Sequence, residues 1–255
     1  TTPTPIQREA IPAVLAGHDL LVSAQTGSGK TAAYALPLLQ ALAQATPHSP
    51  RRVRALVVVP TRELAAQAGE VVRALAQHLP RQPKVAVVFG GVSINPQMMA
   101  LRGGADVVVA TPGRLLDLVE HNALRLSAVE LLVLDEADRL LDLGFADELA
   151  RVLALLPAQR QNLFFSATFP AAVQALADGL LRDPRRIDVP AEPAENAVIL
   201  QQAFLVDSTR RTQLLRQLIK DQGWQRVLVF VATQYAAERV ASKLHHGDLY
   251  ATSFH

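Results

Sequence analysis

A series of short apolar runs, unbroken by polar residues, constrains the fold of this chain more than any other sequence feature. Each run has five or six residues and is followed by a longer stretch rich in alanine and leucine. Strands that are apolar throughout are typical of parallel sheets covered by helices on both faces. The pattern predicts an α/β fold with a doubly wound parallel sheet. The predicted strands are residues 19–23, 55–59, 84–89, 106–110, 131–135 and 162–167.

The composition changes after the sixth run. Residues 182–196 hold three prolines and dense charge, which is typical of a linker. Beyond them the sequence predicts strands at 197–206 and 227–232 and helices at 209–222 and 234–244. Too few residues follow the linker to cover both faces of such a sheet. We therefore expect one domain over 1–184, a linker over 185–198, and the truncated beginning of a second, similar domain over 199–255.

The composition limits the chemistry that the chain can perform. The 255 residues include no cysteine, which excludes disulfides, thiolate metal sites and cysteine nucleophiles. The 25 Lys and Arg residues exceed the 23 Asp and Glu residues by only two, so binding to nucleic acid would depend on a few placed groups. No apolar run approaches the ~20 residues of a membrane helix, and no secretory signal is evident. A cytoplasmic location is the expectation.

The segment AQTGSGKT lies between a predicted strand and a predicted helix. Gly27 and Gly29 allow backbone N–H groups to surround a phosphate, Lys30 reaches the β- and γ-phosphates, and the Thr31 hydroxyl is suited to Mg²⁺. A glycine-rich turn without a ligand is the alternative, but the strand–loop–helix context favours a phosphate site. The predicted cofactor-binding residues are Ala24, Gln25, Thr26, Gly27, Ser28, Gly29, Lys30 and Thr31.

The run LLVLDEAD ends a predicted strand in two adjacent carboxylates. Asp135 is suited to hold Mg²⁺, partly through water, and Glu136 to orient or deprotonate the water that attacks a γ-phosphate. Acidic residues also favour helix N-termini for purely structural reasons. The phosphate loop upstream favours the catalytic interpretation, because both segments would lie at carboxyl ends of strands in one sheet. Lys30, Asp135 and Glu136 are the predicted catalytic residues.

Further motifs carry a resemblance to a known family. The letters DEAD stand at 135–138, and the segments TPIQ (4–7), PTRELA (60–65), GG (90–91), TPGR (111–114) and SAT (166–168) occur in the family's order. The chain resembles the DEAD-box RNA helicases of superfamily 2, bacterial RNA helicase E type. VLVFVAT (227–233) resembles the first motif of their second domain, so the likeness covers essentially the whole chain.

The resemblance implies two RecA-like domains that bind ATP, Mg²⁺ and RNA, and it assigns roles to individual residues. Gln7 would read the adenine edge of ATP. The residues implied to hold the RNA backbone are Pro60, Thr61, Arg62, Gly90, Gly91, Thr111, Pro112, Gly113 and Arg114. The residues implied to couple hydrolysis to strand separation are Asp138, Ser166, Ala167 and Thr168.

The RNA assignments also have a physical basis. Residues 60–62 and 111–114 each follow a predicted strand and begin a helix, where free N–H groups, threonine hydroxyls and one arginine suit phosphate oxygens. Ordinary helix capping by threonine and proline would explain the same residues. A basic loop at Arg51, Arg52 and Arg54 is more typical of a solvated face. Met98 and Met99 are more typical of packing than of a ligand surface.

The expected function is RNA-stimulated ATP hydrolysis coupled to local unwinding of RNA or remodelling of RNA–protein complexes. In the family, an arginine of the second domain stabilises the transition state, and its motif would follow His255; we therefore expect this chain to turn over ATP weakly. The alternatives are an ATP-gated RNA clamp that acts as a scaffold, and a related DNA helicase or translocase.

Overall fold

A computed structural model describes residues 2–25, 27–46, 48–189, 200–247 and 249–254. The chain divides into two compact units, Thr1–Pro193 and Ala194–His255. Each unit is described by itself below. None of the described helices is both long and apolar enough to cross a membrane.

The first unit is built on one parallel sheet of seven strands. Their order across the sheet is β3-β4-β2-β5-β6-β1-β7, and every neighbouring pair is parallel. The strands are Leu20–Ser23 (β1), Ala55–Val58 (β2), Val85–Val88 (β3), Val107–Ala110 (β4), Leu131–Leu134 (β5), Gln161–Ser166 (β6) and Arg185–Asp188 (β7).

Helices alternate with the strands along the chain. The helices of the first unit are Pro5–Leu15 (α1), Lys30–Gln44 (α2), Arg62–Ala76 (α3), Asn95–Ala100 (α4), Pro112–Glu120 (α5), Ala137–Asp142 (α6), Ala146–Ala154 (α7) and Ala171–Leu180 (α8). Parallel strands need such crossovers because a short hairpin cannot return the chain to the same end of the sheet.

Two apolar cores cover the two faces of the sheet. Val57 of β2 packs in one core with residues of α1, α2 and α3, whereas its neighbours Leu56 and Val58 pack in the other with residues of α5 to α8. Successive side chains of a strand point to opposite faces, so a strand buried on both faces must be apolar throughout. The doubly wound α/β fold predicted from the unbroken runs is therefore confirmed.

The beginning of the predicted linker is wrong. Residues 185–188 form β7, an edge strand paired with β1 in the register Leu20↔Arg185 and Ser23↔Asp188. Only Ile187 is buried, while Arg185, Arg186 and Asp188 are exposed. Charged side chains are usual on edge strands. Because β7 has three of them, a search for apolar runs did not predict it as a strand. Residues 190–198 lie outside the described residues, and the division into domains stays a prediction.

The second unit contains the predicted helices but not the predicted strands. A 3₁₀ turn at Ser208–Arg210 leads into Arg211–Asp221 (α9), and Gln234–His245 (α10) begins where the Thr233 hydroxyl accepts a hydrogen bond from the Ala236 N–H. Neither residues 227–232 nor the described part of 197–206, residues 200–206, is in a strand. An apolar run becomes a strand only when a neighbour supplies ladder hydrogen bonds. Without a ladder, Leu228 and Phe230 stay exposed.

Candidate nucleotide site and nucleic-acid interface

The motifs predicted to act chemically follow the carboxyl ends of six strands, which lie along one edge of the sheet. The strand order separates them into two groups. The phosphate loop, the DEAD segment and the SAT segment follow β1, β5 and β6, which are adjacent; we call this the β5–β6–β1 half. The segments predicted to contact RNA follow β2, β3 and β4, also adjacent; we call this the β3–β4–β2 half. The halves meet where β2 pairs with β5.

The phosphate loop places two glycines in backbone conformations that other residues adopt only with strain. Gly27 has φ +85° and Gly29 has φ +93°, and α2 begins directly afterwards at Lys30. The Lys30 side chain is buried, and its Nζ donates a hydrogen bond to the Ala24 carbonyl oxygen at 3.1 Å. The Lys30 side chain is thus hydrogen-bonded to the first residue of the loop. Thr26 lies outside the described residues.

Gln7 joins α1 to the phosphate loop. Its Oε1 accepts a hydrogen bond from the Thr4 N–H at 3.1 Å, and its Nε2 donates one to the Gly29 carbonyl oxygen at 3.3 Å. Glycine at residue 29 is favoured by its φ of +93°, and a Cβ atom there would lie only 2.7 Å from this Nε2, so the Gln7 side chain would have to shift. Gln7 caps α1, as a glutamine near a helix start often does, and also contacts the loop predicted to bind phosphate.

Two carboxylates are buried at the end of β5. Asp135 and Glu136 are 7% and 5% exposed. The Tyr34 hydroxyl donates a hydrogen bond to Asp135 Oδ2 at 3.2 Å, whereas Asp135 Oδ1 is buried without a hydrogen-bond partner in the described part of the chain. Burial raises the pKa of Asp135, although the Lys30 ammonium opposes the rise. An unpartnered carboxylate oxygen in a buried site beside a phosphate loop fits a cation.

Glu136 has a left-handed backbone conformation, with φ 53° and ψ 52°. Such a conformation is strained in a residue other than glycine, and strain of this kind is concentrated at functional sites. The Arg139 guanidinium, one turn along α6, forms an ion pair with Glu136 Oε2 through Nη1 at 2.9 Å. This contact fixes the direction of the carboxylate.

A hydrogen-bond network joins α6 to the end of β6, as the sequence predicted. The Asp138 N–H donates to Ser166 Oγ at 3.2 Å, and Ser166 Oγ donates to the Thr168 carbonyl oxygen at 2.7 Å. In return, the Thr168 N–H and Oγ1 both donate to Asp138 Oδ2, at 3.0 and 2.8 Å. Burial favours the neutral acid, but these hydrogen bonds outweigh it and lower the pKa of Asp138. Ala167 is exposed between the two hydroxyl residues.

In the β3–β4–β2 half, Pro60 and Thr61 lead into α3. The Thr61 hydroxyl accepts a hydrogen bond from the Leu64 N–H at 3.2 Å, so the capping interpretation holds for this residue. Arg62 is exposed, forms an ion pair with Glu63, and extends toward the loop of Gly90 and Gly91. The Arg62 guanidinium lowers the pKa of Glu63. Arg62 is therefore a cation that an incoming phosphate could reach.

Arg114, which the sequence analysis assigned to the RNA backbone, has a side chain that is largely buried and pairs with Asp117 within the protein. Its side chain is 9% exposed, and its Nη2 donates a hydrogen bond to the Val92 carbonyl oxygen at 2.7 Å, which braces the loop after Gly91. Thr111 and Pro112 are buried, and Gly113 in the first turn leaves the start of α5 without side-chain cover. Free N–H groups at this helix start remain the feature suited to an anion.

Several residues that shape the site were missed by the sequence analysis. Tyr34 and Arg139 both had a detectable signal, because they lie four residues after Lys30 and three residues after Glu136 on the same helix faces. Gln97 had none. Its carboxamide accepts from the Phe89 N–H and donates to the Phe89 carbonyl oxygen, at 3.1 and 3.0 Å, and so holds the strand end before Gly90.

Residues 4–176 match the family model described as DEAD/DEAH box helicase. The chain belongs to this family. Among curated relatives, it is 36% identical to the DEAD-box ATP-dependent RNA helicase RhpA of Helicobacter pylori over 255 residues, which are 100% of this chain and 50% of the relative. It is 40% identical to the ATP-dependent RNA helicase DbpA of Escherichia coli over 254 residues, 100% of this chain and 54% of the relative. The chain spans about half the length of these relatives.

Solved structures of the family share the architecture. The yeast DEAD-box splicing factor Prp28 superimposes with a TM-score of 0.72 at 31% identity, over 96% of this chain and 58% of that one. A DEAD box protein from the hyperthermophile Methanococcus jannaschii gives 0.67 at 33% identity, over 98% and 66%. The relatives include several kinds of DEAD-box helicase, so the narrower bacterial RNA helicase E type stays a prediction.

Proposed function

We propose that the β5–β6–β1 half binds and hydrolyses ATP, and that the β3–β4–β2 half holds the backbone of single-stranded RNA. Together they would act in RNA unwinding or in remodelling of RNA–protein complexes. The observation that carries the proposal is the partition of the motifs: each set occupies adjacent strands, and the sets meet at the β2–β5 pair. Relatives described as ATP-dependent RNA helicases support the same activity.

The phosphates of ATP would bind over the loop before α2. The Gly27 and Gly29 conformations suit N–H groups directed at an anion, the helix start adds its positive dipole end, and Lys30 would exchange the Ala24 carbonyl for a phosphate oxygen. Gln7 would hydrogen-bond the adenine edge. Each terminal atom of its carboxamide is already engaged, so its orientation is set before the base arrives.

Thr31 and Asp135 would hold Mg²⁺. Hydroxyl and carboxylate oxygens are the ligands that this ion prefers, and the unpartnered Asp135 Oδ1 fits it. In the described part of the chain no cluster of three or more His, Asp or Glu residues could hold a metal by itself, which suits an ion completed by substrate phosphates and water. When bound, the ion would neutralise charge on the β- and γ-phosphates.

Glu136 would orient the attacking water and accept its proton. The ion pair with Arg139 directs the carboxylate, and a general base must be positioned within reach of the proton that it accepts. Hydrolysis would then change the contacts of the loop before α2, and the Asp138–Ser166–Thr168 network next to it would carry the change to the surface at Ala167. Phosphoryl transfer is catalysed mainly by such positioning and by charge stabilisation.

RNA would be held without regard to sequence. Arg62, the Gly90–Gly91 loop and the start of α5 offer a cation and backbone N–H groups, which contact phosphates and do not read bases. Contacts that fix the register of the backbone suit a protein that acts on many RNA duplexes.

The experiment that tests the proposal measures binding of fluorescent single-stranded oligomers to this chain, with and without ATP and Mg²⁺, together with ATP hydrolysis. We expect ATP to tighten binding of RNA and RNA to accelerate hydrolysis, with a weaker response to DNA. Equal responses to RNA and DNA would favour a DNA helicase or translocase. Long-lived binding of RNA that requires ATP but is accompanied by little ATP hydrolysis would favour an ATP-gated clamp.

A further inference from the structure

A cavity of about 980 Å³ lies at the edge of the sheet opposite the nucleotide and RNA residues. Its walls come from residues 50–53, 101–105 and 121–128, which precede β2, β4 and β5, and from α4. Because these strands have four residues each, roughly 13 Å of strand separates the two edges. The volume is at the upper end of the range found for ligand pockets.

The charge of this cavity is one-sided. Among the described residues, its lining includes Arg51, Arg52, Arg102 and Arg125 but no Asp or Glu, although the chain as a whole is nearly balanced. Arg51 is neutralised by an ion pair with Asp106 at 2.6 Å. The other three arginines are exposed, and within the described ranges the structure shows no hydrogen bond or ion pair of their guanidinium groups. Three cations thus surround one opening with no anion of the protein's own.

One wall of the cavity is fixed before any ligand binds. Gly104 has φ +81°, and a side chain there would clash with the Arg51 carbonyl oxygen. Asp106, which pairs with Arg51, also accepts a hydrogen bond from the Lys84 N–H through the same Oδ2 at 2.7 Å. These contacts tie the loop before β2 to the loop before β4. A preformed wall reduces the entropy lost on binding.

The floor of the cavity is apolar, and the described residues that line the cavity include no Phe, Tyr or Trp. Val53, Leu101 and Leu124 are buried, while Met99 is 55% exposed beside them. Methionine adapts its shape to aliphatic ligand groups. Proteins that bind single-stranded nucleic acid without sequence preference stack successive bases on aromatic rings, and among the described residues this lining offers only the His121 imidazole. The chemistry therefore favours carboxylates with aliphatic side chains over a nucleotide.

We propose that this cavity, with Arg52, Arg102 and Arg125 at its opening, is a docking site for an acidic, apolar peptide segment of a partner protein. Carboxylates of the segment pair with the three arginines, and an aliphatic side chain packs on Met99. The site shares no residue with the nucleotide or RNA residues, so it is tested independently of the proposed function.

The experiment selects peptides from a displayed random library against this chain and measures the affinity of the selected peptides by fluorescence anisotropy. We expect sequences that combine Asp or Glu with Leu, Ile or Met. The double variant Arg52→Glu/Arg125→Glu is expected to weaken their binding by at least about tenfold, because two attractions become repulsions. The control Arg81→Glu/Arg185→Glu makes the same change of charge at exposed arginines elsewhere and is expected to keep the affinity. Binding of ATP by both variants reports that they are folded.

Two further measurements identify the occupant. Met99→Gln should weaken the selected peptides about threefold and leave polyglutamate unchanged, because only the former use the apolar floor. Polyglutamate that binds as tightly as the selected peptides would reduce the site to a basic surface and overturn the proposal. A single-stranded RNA oligomer that displaces the peptides, and whose own affinity falls in the Arg52→Glu/Arg125→Glu variant, would assign the cavity to RNA instead. Failure to select any peptide sensitive to that variant would also overturn it.

Discussion

The two halves of the sheet edge differ in how far their charged side chains are buried. In the β5–β6–β1 half, Lys30, Asp135, Glu136 and Asp138 are each between 5% and 7% exposed and are held by other protein groups. In the β3–β4–β2 half, by contrast, the Arg62 side chain is 63% exposed. Chemistry on a small ligand needs charges fixed in a buried site, whereas holding a long polyanion needs only accessible donors.

The largest effect is expected from Glu136→Gln, which keeps the shape of the side chain and removes its basicity. Hydrolysis of ATP should fall about a thousandfold, within the range supplied by general bases, while ATP binding is retained. The measurement pairs turnover with nucleotide affinity, and Glu70→Gln on the exposed side of α3 is the control. Unchanged turnover would show that Glu136 is not the general base of the β5–β6–β1 half.

Lys30→Ala should be next in size. The change takes the Lys30 ammonium away from the buried Asp135 carboxylate and removes a predicted phosphate ligand, so affinity for ATP should fall about a hundredfold or more. RNA binding measured without nucleotide should not change, because the Lys30 ammonium hydrogen-bonds the Ala24 carbonyl oxygen within its own half. Lys84→Ala, at the opposite end of the sheet, provides the matched control. A parallel loss of RNA affinity would show that the two halves are not separate sites.

Arg62→Ala tests the exposed half. An accessible phosphate contact contributes little individually, so affinity for RNA should fall only about threefold to tenfold, equally for all sequences, and the dependence on salt should become shallower. ATP affinity should stay the same. Arg81→Ala, which removes an exposed arginine elsewhere, should leave both affinities unchanged. A loss confined to certain RNA sequences would contradict the backbone-holding role.

The smallest effect is expected from Thr168→Val, and it depends on pH. A carboxyl group with a lowered pKa stabilises the folded state above its unfolded pKa of about 4 and loses that contribution as the pH falls through its folded pKa. Removing the Thr168 hydroxyl should cost about 1 kcal/mol of unfolding free energy at neutral pH, and the difference from the native chain should shrink in acid. Urea titrations at both pH values measure it, with Thr209→Val as the control at an exposed Thr–Asp contact. A difference that does not change with pH would exclude Asp138 as the cause.

The success of the sequence analysis depended on burial. Strands such as LLVLD were predicted because a strand covered on both faces can only be apolar. Strands of this kind run parallel, so the carboxylates that follow them lie at one edge of the sheet. The rule failed in both directions where burial is absent: it missed β7, whose charged residues face solvent, and it predicted a strand at 227–232, where the described chain supplies no partner. Arg114 is held by an ion pair with Asp117 one turn along α5, which is a local pattern, and by the Val92 carbonyl oxygen, which no local pattern reveals.

The Gly29 carbonyl oxygen accepts hydrogen bonds from both Gln7 and the Ala33 N–H. One oxygen atom is therefore shared by the first turn of α2 and by the side chain that is expected to recognise the purine. A base that contacts the Gln7 carboxamide would act, through this shared oxygen, on the peptide unit at the start of α2. Under the proposed function, selectivity for adenine and order in the loop would therefore be coupled, and a purine that Gln7 does not accept would also be bound poorly at its phosphates.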